Sequence, residues 1–343
     1  MSVQEDVQQP DYRAYAAAGI AALQRWYNRW TGQWRTTKWW NAANALTAVI
    51  AYTQYTGDQT HLRTVERTFR AARRIHRDFL LRFYDDNGWW GLAWLDAYDL
   101  TGEARYLQAA RTIFANLLTA WDDTYGGGVW WNDDRSYKNA ITNELFLALA
   151  ARLHQRSAGT GEYLEWANRE WDWFLARGLI GASGLVNDGL DKSGNNNGGQ
   201  AWSYNQGVIL GALAALHEIT GDAAYLRQGE QIADAALGSL TTPAPDARYG
   251  ILLEPREHQT ARNDADLPQF KGVFMRNLYY LYRQSPRPAY SEFILDNARS
   301  IWASNRNSSN QFGLHWAGPF DFADAARQSS ALDALNAAVP LAP

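Results

Sequence analysis

The chain contains no cysteine, which excludes disulfide bonds and thiol catalysis. It has no basic stripe either, and its formal net charge of −4 makes nucleic acid and anionic membranes poor partners. Long apolar runs are also missing, because the longest, such as Val208 to Leu216, are too short to span a bilayer. What remains is a composition of 46% hydrophobic and 20% charged residues, which is typical of a globular protein with a large core.

Motifs for metal, nucleotide and serine chemistry are absent as well. The six histidines are scattered without the spacing of a metal-binding motif, so we expect no metal site and no cofactor. There is no Gly-x-Ser-x-Gly elbow to support a serine hydrolase. Gly126-Gly127-Gly128 lacks the lysine and hydroxyl of a phosphate loop, and indicates backbone that passes close to a ligand or a helix.

The N-terminal residues, Met1 to Asp6, show neither the basic region nor the apolar region of a signal peptide. We therefore expect the chain as encoded to be cytoplasmic, and secreted or periplasmic if a leader was trimmed. We also expect a monomer.

Tryptophan is abundant, with 17 in 343 residues, and many of the indoles lie beside turn residues instead of inside apolar runs. An indole has a large apolar face and an N–H that needs a partner, which favours positions with one wet side. The segment Tyr84-Asp85-Asp86-Asn87-Gly88-Trp89-Trp90 joins two adjacent acids to two indoles across a predicted Asn-Gly turn. Acids can transfer protons or attack an anomeric carbon, and indoles can cover sugar C–H faces. The pattern therefore indicates a carbohydrate site.

A Thr-Gly-acid pattern followed by leucine recurs four times and predicts the fold. In each copy the glycine can end one helix in the left-handed conformation, and the acid lies near the start of the next helix. Each copy is therefore a tight turn between two antiparallel helices. The four copies are Thr56-Gly57-Asp58, Thr101-Gly102-Glu103, Thr160-Gly161-Glu162 and Thr220-Gly221-Asp222.

The helices on the two sides of these turns differ in their pattern. Apolar residues from Leu62 to Phe79 recur at helical spacing among arginines, which predicts an amphipathic outer helix. Ala140–Leu153 and Val208–Leu216 are apolar nearly all round, which predicts helices buried on every side. Two alternating layers of this kind close into an all-α fold, an (α/α)6 barrel of six helical hairpins.

In such a barrel the inner helices run in one direction, so the loops that precede them gather at one mouth. The tryptophan, acid and amide motifs all precede predicted inner helices, and we expect them around one cavity. The whole chain, residues 1–343, then forms a single catalytic domain, with frayed ends at residues 1–10 and 333–343.

Asp85-Asp86 is the strongest candidate for a catalytic pair. Adjacent Cα atoms are ~3.8 Å apart, so the two carboxyls can lie ~5–5.5 Å apart, as in retaining glycosidases. Two like charges this close raise one pKa and supply a protonated acid near neutral pH. The alternative is a solvated turn or a helix cap. Of the other pairs, Asp122-Asp123 could end an outer helix or bind ligand, and Asp133-Asp134 is a turn beside Arg135.

Polar residues open two of the buried helices. Asn139 and Asn143 are four residues apart and share one helix face, so they either bind sugar hydroxyls or cap the helix. Tyr204 and Asn205 pose the same choice at the next inner helix, and each tryptophan could be a stacking platform or part of the core. The predicted substrate-binding residues are Trp40, Trp89, Trp90, Trp130, Asn139, Asn143, Tyr204, Asn205 and Lys271.

These motifs, in this order, resemble those of the family 76 glycoside hydrolases, the α-1,6-mannanases. The resemblance implies a six-hairpin α/α barrel that hydrolyses α-1,6-mannosidic bonds of mannan or mannooligosaccharides with retention of configuration. By the match to the family's consecutive catalytic aspartates, Asp85 is the expected nucleophile and Asp86 the acid/base. The matching segments are Trp39-Trp40-Asn41, Tyr84 to Trp94, Gly126 to Trp131, Tyr137 to Phe146, Tyr204 to Gly207 and Phe270 to Phe274.

Two other functions fit parts of the sequence. Sugar 2-epimerases also use α/α barrels, but they need paired bases over the cavity, and only His315 looks placed for that role. A non-catalytic glycan-binding protein would need only the tryptophans and amides, with the acids as caps. Solvent deuterium at C2 of a free sugar would identify the isomerase, and intact bound oligosaccharide would identify the binding protein.

Overall fold

A computed structural model describes residues 10–157, 161–259 and 264–342 and consists of two concentric layers of helices. The inner layer contains α2 (Trp39–Thr56), α4 (Tyr84–Thr101), α6 (Ala140–Gln155), α8 (Ser203–Thr220), α10 (Phe270–Gln284) and α12 (Ala325–Ala338). The outer layer contains α1 (Tyr12–Gln24), α3 (Leu62–Ile75), α5 (Ala104–Leu118), α7 (Glu162–Ala176), α9 (Ala223–Ser239) and α11 (Pro288–Ser304). Two antiparallel hairpins connect helices, β1 (Tyr27–Asn28) with β2 (Gln33–Trp34) and β3 (Thr241–Ala244) with β4 (Ala247–Leu252).

The inner helices form a closed ring. Each contacts the next one along the chain, and α12 contacts α2 to complete the circle. Each outer helix packs on the inner helix that precedes it, and α1 packs on α12, so the two ends of the chain form the sixth hairpin. The prediction of an (α/α)6 barrel is confirmed.

Burial follows the two sequence patterns from which the layers are predicted. Every residue of α6 from Ala140 to Ala151 is buried. In α3 only one face is buried, with Val65, Phe69 and Ala72 inward and the arginines toward solvent. The predicted outer helix ends earlier than expected, because Phe79 lies beyond α3 in a separate 3-10 turn, although its ring is still buried.

The repeat glycines end helices in three of the four copies. Gly57, Gly102 and Gly221 follow α2, α4 and α8 with φ of 74°, 70° and 72°, a left-handed conformation that glycine adopts without strain. The remaining copy, Thr160-Gly161-Glu162, differs from its prediction. Gly161 has a φ of −67° and caps the start of α7, and Thr160 lies outside the described residues.

Two predicted boundaries are wrong. The predicted turn at Asn87-Gly88 is helical, because α4 begins at Tyr84 and the buried Asn87 side chain accepts from the Leu81 N–H and donates to its carbonyl. Residues 333–338 are not frayed, because α12 stays buried to Ala338 between α10 and α2, and Pro343 lies outside the described residues. Residues 1–9 of the other predicted frayed end lie outside the described residues. Within the described ranges, no helix combines the length and hydropathy needed to cross a bilayer.

Candidate active site

The N-terminal ends of five inner helices meet around an open cleft of about 770 Å³. This is the arrangement expected when all inner helices run in one direction and their first turns share one mouth. α4 contributes both aspartates of the predicted pair, and the other four helices contribute mainly aromatic and amide side chains. The lining residues are Lys38, Trp39, Trp40, Leu81, Phe83, Asp85, Asp86, Trp89, Trp131, Tyr137, Asn139, Asp188, Tyr204, Asp266 and Phe270.

The carboxyl group of Asp85 accepts hydrogen bonds from two N–H groups. Its Oδ1 accepts from the backbone N–H of Asp86 and its Oδ2 accepts from the indole N–H of Trp131, both at 3.0 Å. Burial in the cleft raises the pKa of Asp85, and the two N–H bonds oppose that rise because they favour the ionised carboxylate. Of the two adjacent acids, Asp85 is the one whose negative charge the protein stabilises directly.

Asp86 has a different environment in the same first turn of α4. No described residue donates a hydrogen bond to its carboxyl group, which faces the cleft. Burial raises the pKa of Asp86, and the negative charges of Asp85 and Asp266 raise it further, against a smaller opposite effect of Lys38. When the two acids share one proton, these surroundings therefore favour the proton on Asp86.

Aromatic rings form a continuous wall of the cleft. Trp40 stacks on Trp89 with ring centroids 5.5 Å apart, and Trp89 faces Tyr204 at 6.5 Å. Tyr204 lies nearly parallel to Phe270, with centroids 3.9 Å apart and an interplanar angle of 7°. No described residue hydrogen-bonds the Tyr204 hydroxyl, and burial raises the pKa of Tyr204 so that it stays a donor. Rings of this kind can cover apolar sugar faces while the hydroxyl binds a sugar oxygen.

Two further carboxylates lie on the cleft wall. Asp188 Oδ2 accepts from the Tyr137 hydroxyl at 2.7 Å. Asp266 accepts from the Trp40 indole N–H at 2.8 Å and from the Lys38 ammonium at 3.1 Å. These carboxylates can accept hydrogen bonds from sugar hydroxyls. The described side chains include no group of three or more His, Asp or Glu that could hold a metal ion.

A glycine places Asp188 at the cleft. A Cβ atom at Gly189 would lie 2.5 Å from the Tyr137 hydroxyl and 2.7 Å from Asn139 Cα, so a larger residue cannot occupy this position without a shift. Gly189 and Asn139 also form an isolated antiparallel bridge. The close approach fixes the loop against the start of α6 and turns the preceding aspartate to the cleft.

Six of the predicted catalytic and substrate-binding residues line the cleft: Asp85, Asp86, Trp40, Trp89, Asn139 and Tyr204. Asn139 combines the two roles that the sequence leaves open. Its Oδ1 caps α6 by accepting from the Thr142 N–H at 3.2 Å, and its side chain still lies on the cleft wall.

Two predicted stacking tryptophans do not line the cleft. Trp90 is fully buried and packs against Trp39, Phe79 and Trp94 in the core. One helical step of about 100° separates it from Trp89, and at this position of α4 that step turns the ring from the cleft into the core. Trp130 points the other way from its neighbour Trp131, and its indole N–H donates to Asp122 at 2.8 Å.

Three predicted polar ligands are also placed elsewhere. Asn143 is fully buried and bonds the backbone of Val129 through both amide atoms, which holds the preceding loop. Asn205 is buried one helical step away from Tyr204, and its amide has no partner among the described residues. Lys271 is buried beside Phe270 and donates to Glu257, outside the cleft.

The other acid pairs have structural partners. Asp122 accepts from Lys138 at 2.9 Å and from Arg135 at 2.9 Å. Burial raises the pKa of Asp122, but hydrogen bonds from Trp130 and Lys138 outweigh that effect and hold the pKa well below the usual range. The Asp133-Asp134 pair is bonded by Arg82 and not by its sequence neighbour Arg135.

The glycine run and His315 are also explained by their neighbours. A Cβ at Gly128 would lie 2.5 Å from the Trp173 ring, so this backbone passes close to a helix, as one of the two predicted alternatives states. His315, the one histidine considered for an epimerase, lies outside the cleft lining, with its Nδ1 3.0 Å from Glu257.

Several cleft residues are missing from the predicted set. Trp131, Tyr137 and Phe270 belong to the same motifs as residues that are predicted to bind substrate. Which residue of each motif lines the cleft depends on the direction in which its side chain points from the helix or loop. Asp188 and Asp266 lie in irregular loops without periodicity. The fold brings them to the cleft, and no local pattern in the sequence indicates this.

Solved structures share this fold. The chain aligns with the alpha-1,6-mannanase of Salegentibacter sp. HEL1_6 at 26% identity and a TM-score of 0.84, covering 97% of this chain and 100% of that one. The structure of an inactive variant of that mannanase, in which alanine replaces two consecutive aspartates, has been solved in complex with alpha-1,6-mannotetrose. This variant aligns at 24% identity with a TM-score of 0.84, over 97% of this chain and 100% of that one.

Curated relatives include fungal proteins. Mannan endo-1,6-alpha-mannosidase DCW1 of Eremothecium gossypii is 29% identical over 222 residues, which cover 58% of this chain and 49% of that protein. DCW1 of Saccharomyces cerevisiae is 26% identical over 309 residues, 81% of this chain and 66% of that protein. The chain spans about half to two thirds of the length of the curated relatives it matches. The model of glycosyl hydrolase family 76 matches residues 14–341, and the chain therefore belongs to this family.

Proposed function

We propose that this protein is a retaining glycoside hydrolase that cleaves α-1,6-mannosidic bonds inside mannan chains, with Asp85 as nucleophile and Asp86 as acid/base. The observation that supports the roles is the asymmetry of the pair. Asp85 accepts two N–H bonds at 3.0 Å, and no described residue donates to the carboxyl of Asp86. A nucleophile must be ionised and an acid protonated at the same pH, which this asymmetry provides.

In the first step the Asp85 carboxylate attacks the anomeric carbon while the glycosidic C–O bond breaks. Asp86 gives its proton to the departing oxygen, so the leaving sugar is released neutral and a glycosyl–Asp85 ester forms. In the second step the Asp86 carboxylate takes a proton from water, which attacks the same carbon and releases Asp85. Two inversions give net retention of configuration.

The relatives support the linkage and the mode of cleavage. The mannanase of Salegentibacter acts on alpha-1,6-mannan by its name, and the fungal relatives are named endo-mannosidases. The inactive mannanase variant lacks two consecutive aspartates. Among the three consecutive aspartate pairs of this sequence, Asp85-Asp86 lines the aromatic cleft, whereas the other two are engaged by arginine and lysine.

The test replaces each acid with its amide. Asp85→Asn and Asp86→Asn should each lower kcat on α-1,6-mannooligosaccharides by about 10²–10⁴-fold, the usual contribution of such a group. Asp133→Asn removes a surface acid of another Asp-Asp pair and should keep normal activity. Proton NMR of the first product should show the α anomer.

Three results would contradict parts of the proposal. Near-normal turnover by Asp85→Asn would remove the nucleophile assignment, and a β anomer as first product would exclude retention. Oligosaccharide that binds but stays intact over hours would favour a glycan-binding protein without catalysis.

A further inference from the structure

A buried charged cluster includes Lys271, the sequence neighbour of Phe270 in the cleft wall, and reaches Ser203, the sequence neighbour of Tyr204. Lys271, fully buried, donates from Nζ to Glu257 Oε2 and to the Leu314 carbonyl, both at 2.7 Å. The same Glu257 oxygen accepts from the Glu254 N–H at 3.0 Å, and its other oxygen lies 3.0 Å from His315 Nδ1. Both oxygens of a 4% exposed carboxylate are therefore engaged.

The cluster continues to the start of α8. Glu254, which is 1% exposed, accepts from the Ser203 N–H at 3.1 Å and from the Ser203 hydroxyl through its other oxygen. A carboxylate at this position satisfies an N–H group that the helix itself leaves unpaired. Lys271, Glu257, Glu254 and Ser203 thus form one hydrogen-bonded chain between two inner helices.

Each end of this hydrogen-bond network is the sequence neighbour of a residue whose ring belongs to the wall. Ser203 precedes Tyr204 on α8, and Lys271 follows Phe270 on α10. The two rings lie 3.9 Å apart at an angle of 7°, and both line the cleft. Burying charges away from water is unfavourable, and apolar residues of the same volume often stabilise a fold as well or better. Fold stability alone is therefore a weak reason for this cluster.

We propose that Lys271, Glu257 and Glu254 are positioning residues that set the spacing and angle of Tyr204 and Phe270, and through them the binding of a mannose ring on this wall. The inference rests on the proposed function for its substrate. None of the three residues lines the cleft, so their effect passes through the two rings.

The test neutralises both members of the central ion pair, because removal of one alone leaves a buried charge without its partner. Lys271→Met/Glu257→Gln should raise KM for α-1,6-mannotetraose by about tenfold with less than a twofold change in kcat, within the usual range of coupling between contacting residues. In a Phe270→Ala background the same double change should add little to KM, because the wall is already lost. A crystal structure of the double variant should show the Tyr204–Phe270 stack opened.

A matched control neutralises another buried pair at the opposite end of the ring. Arg152 donates to Asp96 at 2.6 Å, and both side chains are mostly buried. Asp96→Asn/Arg152→Met should change the melting temperature and leave KM unchanged. Should Lys271→Met/Glu257→Gln not fold, Glu254→Gln tests the other end of the cluster with the same expected rise in KM.

The outcomes separate this inference from the proposed function. A wild-type protein that cleaves no α-1,6-mannooligosaccharide would refute the function, and the crystal structure would still decide the positioning role. An unchanged ring stack in the double variant would overturn the inference, as would a KM effect that adds fully to that of Phe270→Ala.

Discussion

At the scale of single residues, the indole N–H of Trp131 is the contact that distinguishes the two catalytic candidates. It donates to Asp85 Oδ2 at 3.0 Å, and no described residue makes an equivalent contact to Asp86. A hydrogen bond to a charged group contributes about 1.5–3 kcal/mol. The state with Asp85 ionised and Asp86 protonated therefore depends on a residue that takes no part in bond making.

Trp131→Phe removes this donor and keeps an aromatic ring in place. The ionised form of Asp85 then loses a stabilising contact, so its pKa rises further. Burial already raises the pKa of both acids, so we expect a bell-shaped profile of kcat/KM whose acid limb reports Asp85 and whose alkaline limb reports Asp86. In Trp131→Phe the acid limb should move to higher pH, and kcat/KM at its wild-type optimum should fall about tenfold.

The neighbouring tryptophan provides the control. Trp130 donates its N–H to Asp122, outside the cleft, so Trp130→Phe should leave both limbs of the pH profile where they are. An acid limb that stays in place in Trp131→Phe would mean that the indole does not stabilise the nucleophile.

The residue scale also shows where sequence reasoning is reliable. Composition and spacing alone select Asp85, Asp86 and the tryptophan Trp89 that follows them, and all three line the cleft. The choice between Phe270 and Lys271, or between Trp89 and Trp90, needs the rotation of the helix to within about 100°, which a short motif does not define. Asp188 and Asp266 are positioned by contacts with residues far away in the chain, and for these only the folded ring gives the answer.

At the scale of elements, the Thr-Gly-acid repeats predict the helical hairpins. A glycine that ends a helix in the left-handed conformation depends only on the residues next to it, so the sequence is enough to indicate it. The start of α4 is harder to predict, because Asn-Gly is normally a turn signal. Here long-range packing overrides it. Asn87 bonds Leu81 and Asn116, and Gly88 faces α6 at a distance that excludes a side chain.

Gly88→Ala tests this helix contact. A Cβ at this position would lie 2.9 Å from Leu145 Cβ, so α4 and α6 would have to separate. Overpacking of this kind costs about 1–3 kcal/mol, and the helix propensity gained returns about 1 kcal/mol, so we expect a net loss of up to about 2 kcal/mol in the free energy of unfolding. Gly238→Ala is the matched control, because a Cβ in this part of α9 has no neighbour within 4 Å. Urea unfolding should show Gly88→Ala destabilised and Gly238→Ala neutral or slightly stabilised, and a stabilised Gly88→Ala would contradict the packing argument.

At the scale of the whole molecule, the ring concentrates acids in its interior. Burial raises the pKa of several carboxyls, and few carboxyls have a lowered pKa. The raised group contains Asp85, Asp86, Glu144, Glu170, Glu254, Asp296 and Asp333. The lowered group contains Asp58, Asp122 and Glu257. Through these carboxyls the folded protein binds more protons than the unfolded chain above about pH 4, and their contribution to stability falls as the pH rises toward neutrality.

Glu144 allows the effect of pH on stability to be measured separately from catalysis. It is fully buried on α6, does not line the cleft, and neither carboxyl oxygen has a hydrogen-bond partner among the described residues. Burial raises its pKa well above the usual value, with a further contribution from the charge of Asp188. In the unfolded chain a glutamate ionises near pH 4.3, so each pH unit above that value favours unfolding of the wild type by about 1.4 kcal/mol until the folded pKa is reached.

Glu144→Gln keeps the shape of the side chain and removes its proton equilibrium. At pH 4 the variant and the wild type should have similar melting temperatures, because the wild-type carboxyl is protonated in the folded state and largely protonated in the unfolded state. At pH 7.5 the variant should melt several degrees higher, because only the wild type gains from ionising on unfolding. Glu162→Gln, an exposed position in the first turn of α7, should show little difference at either pH. A gain that is equal at both pH values would show that proton linkage at Glu144 does not limit the stability of the ring.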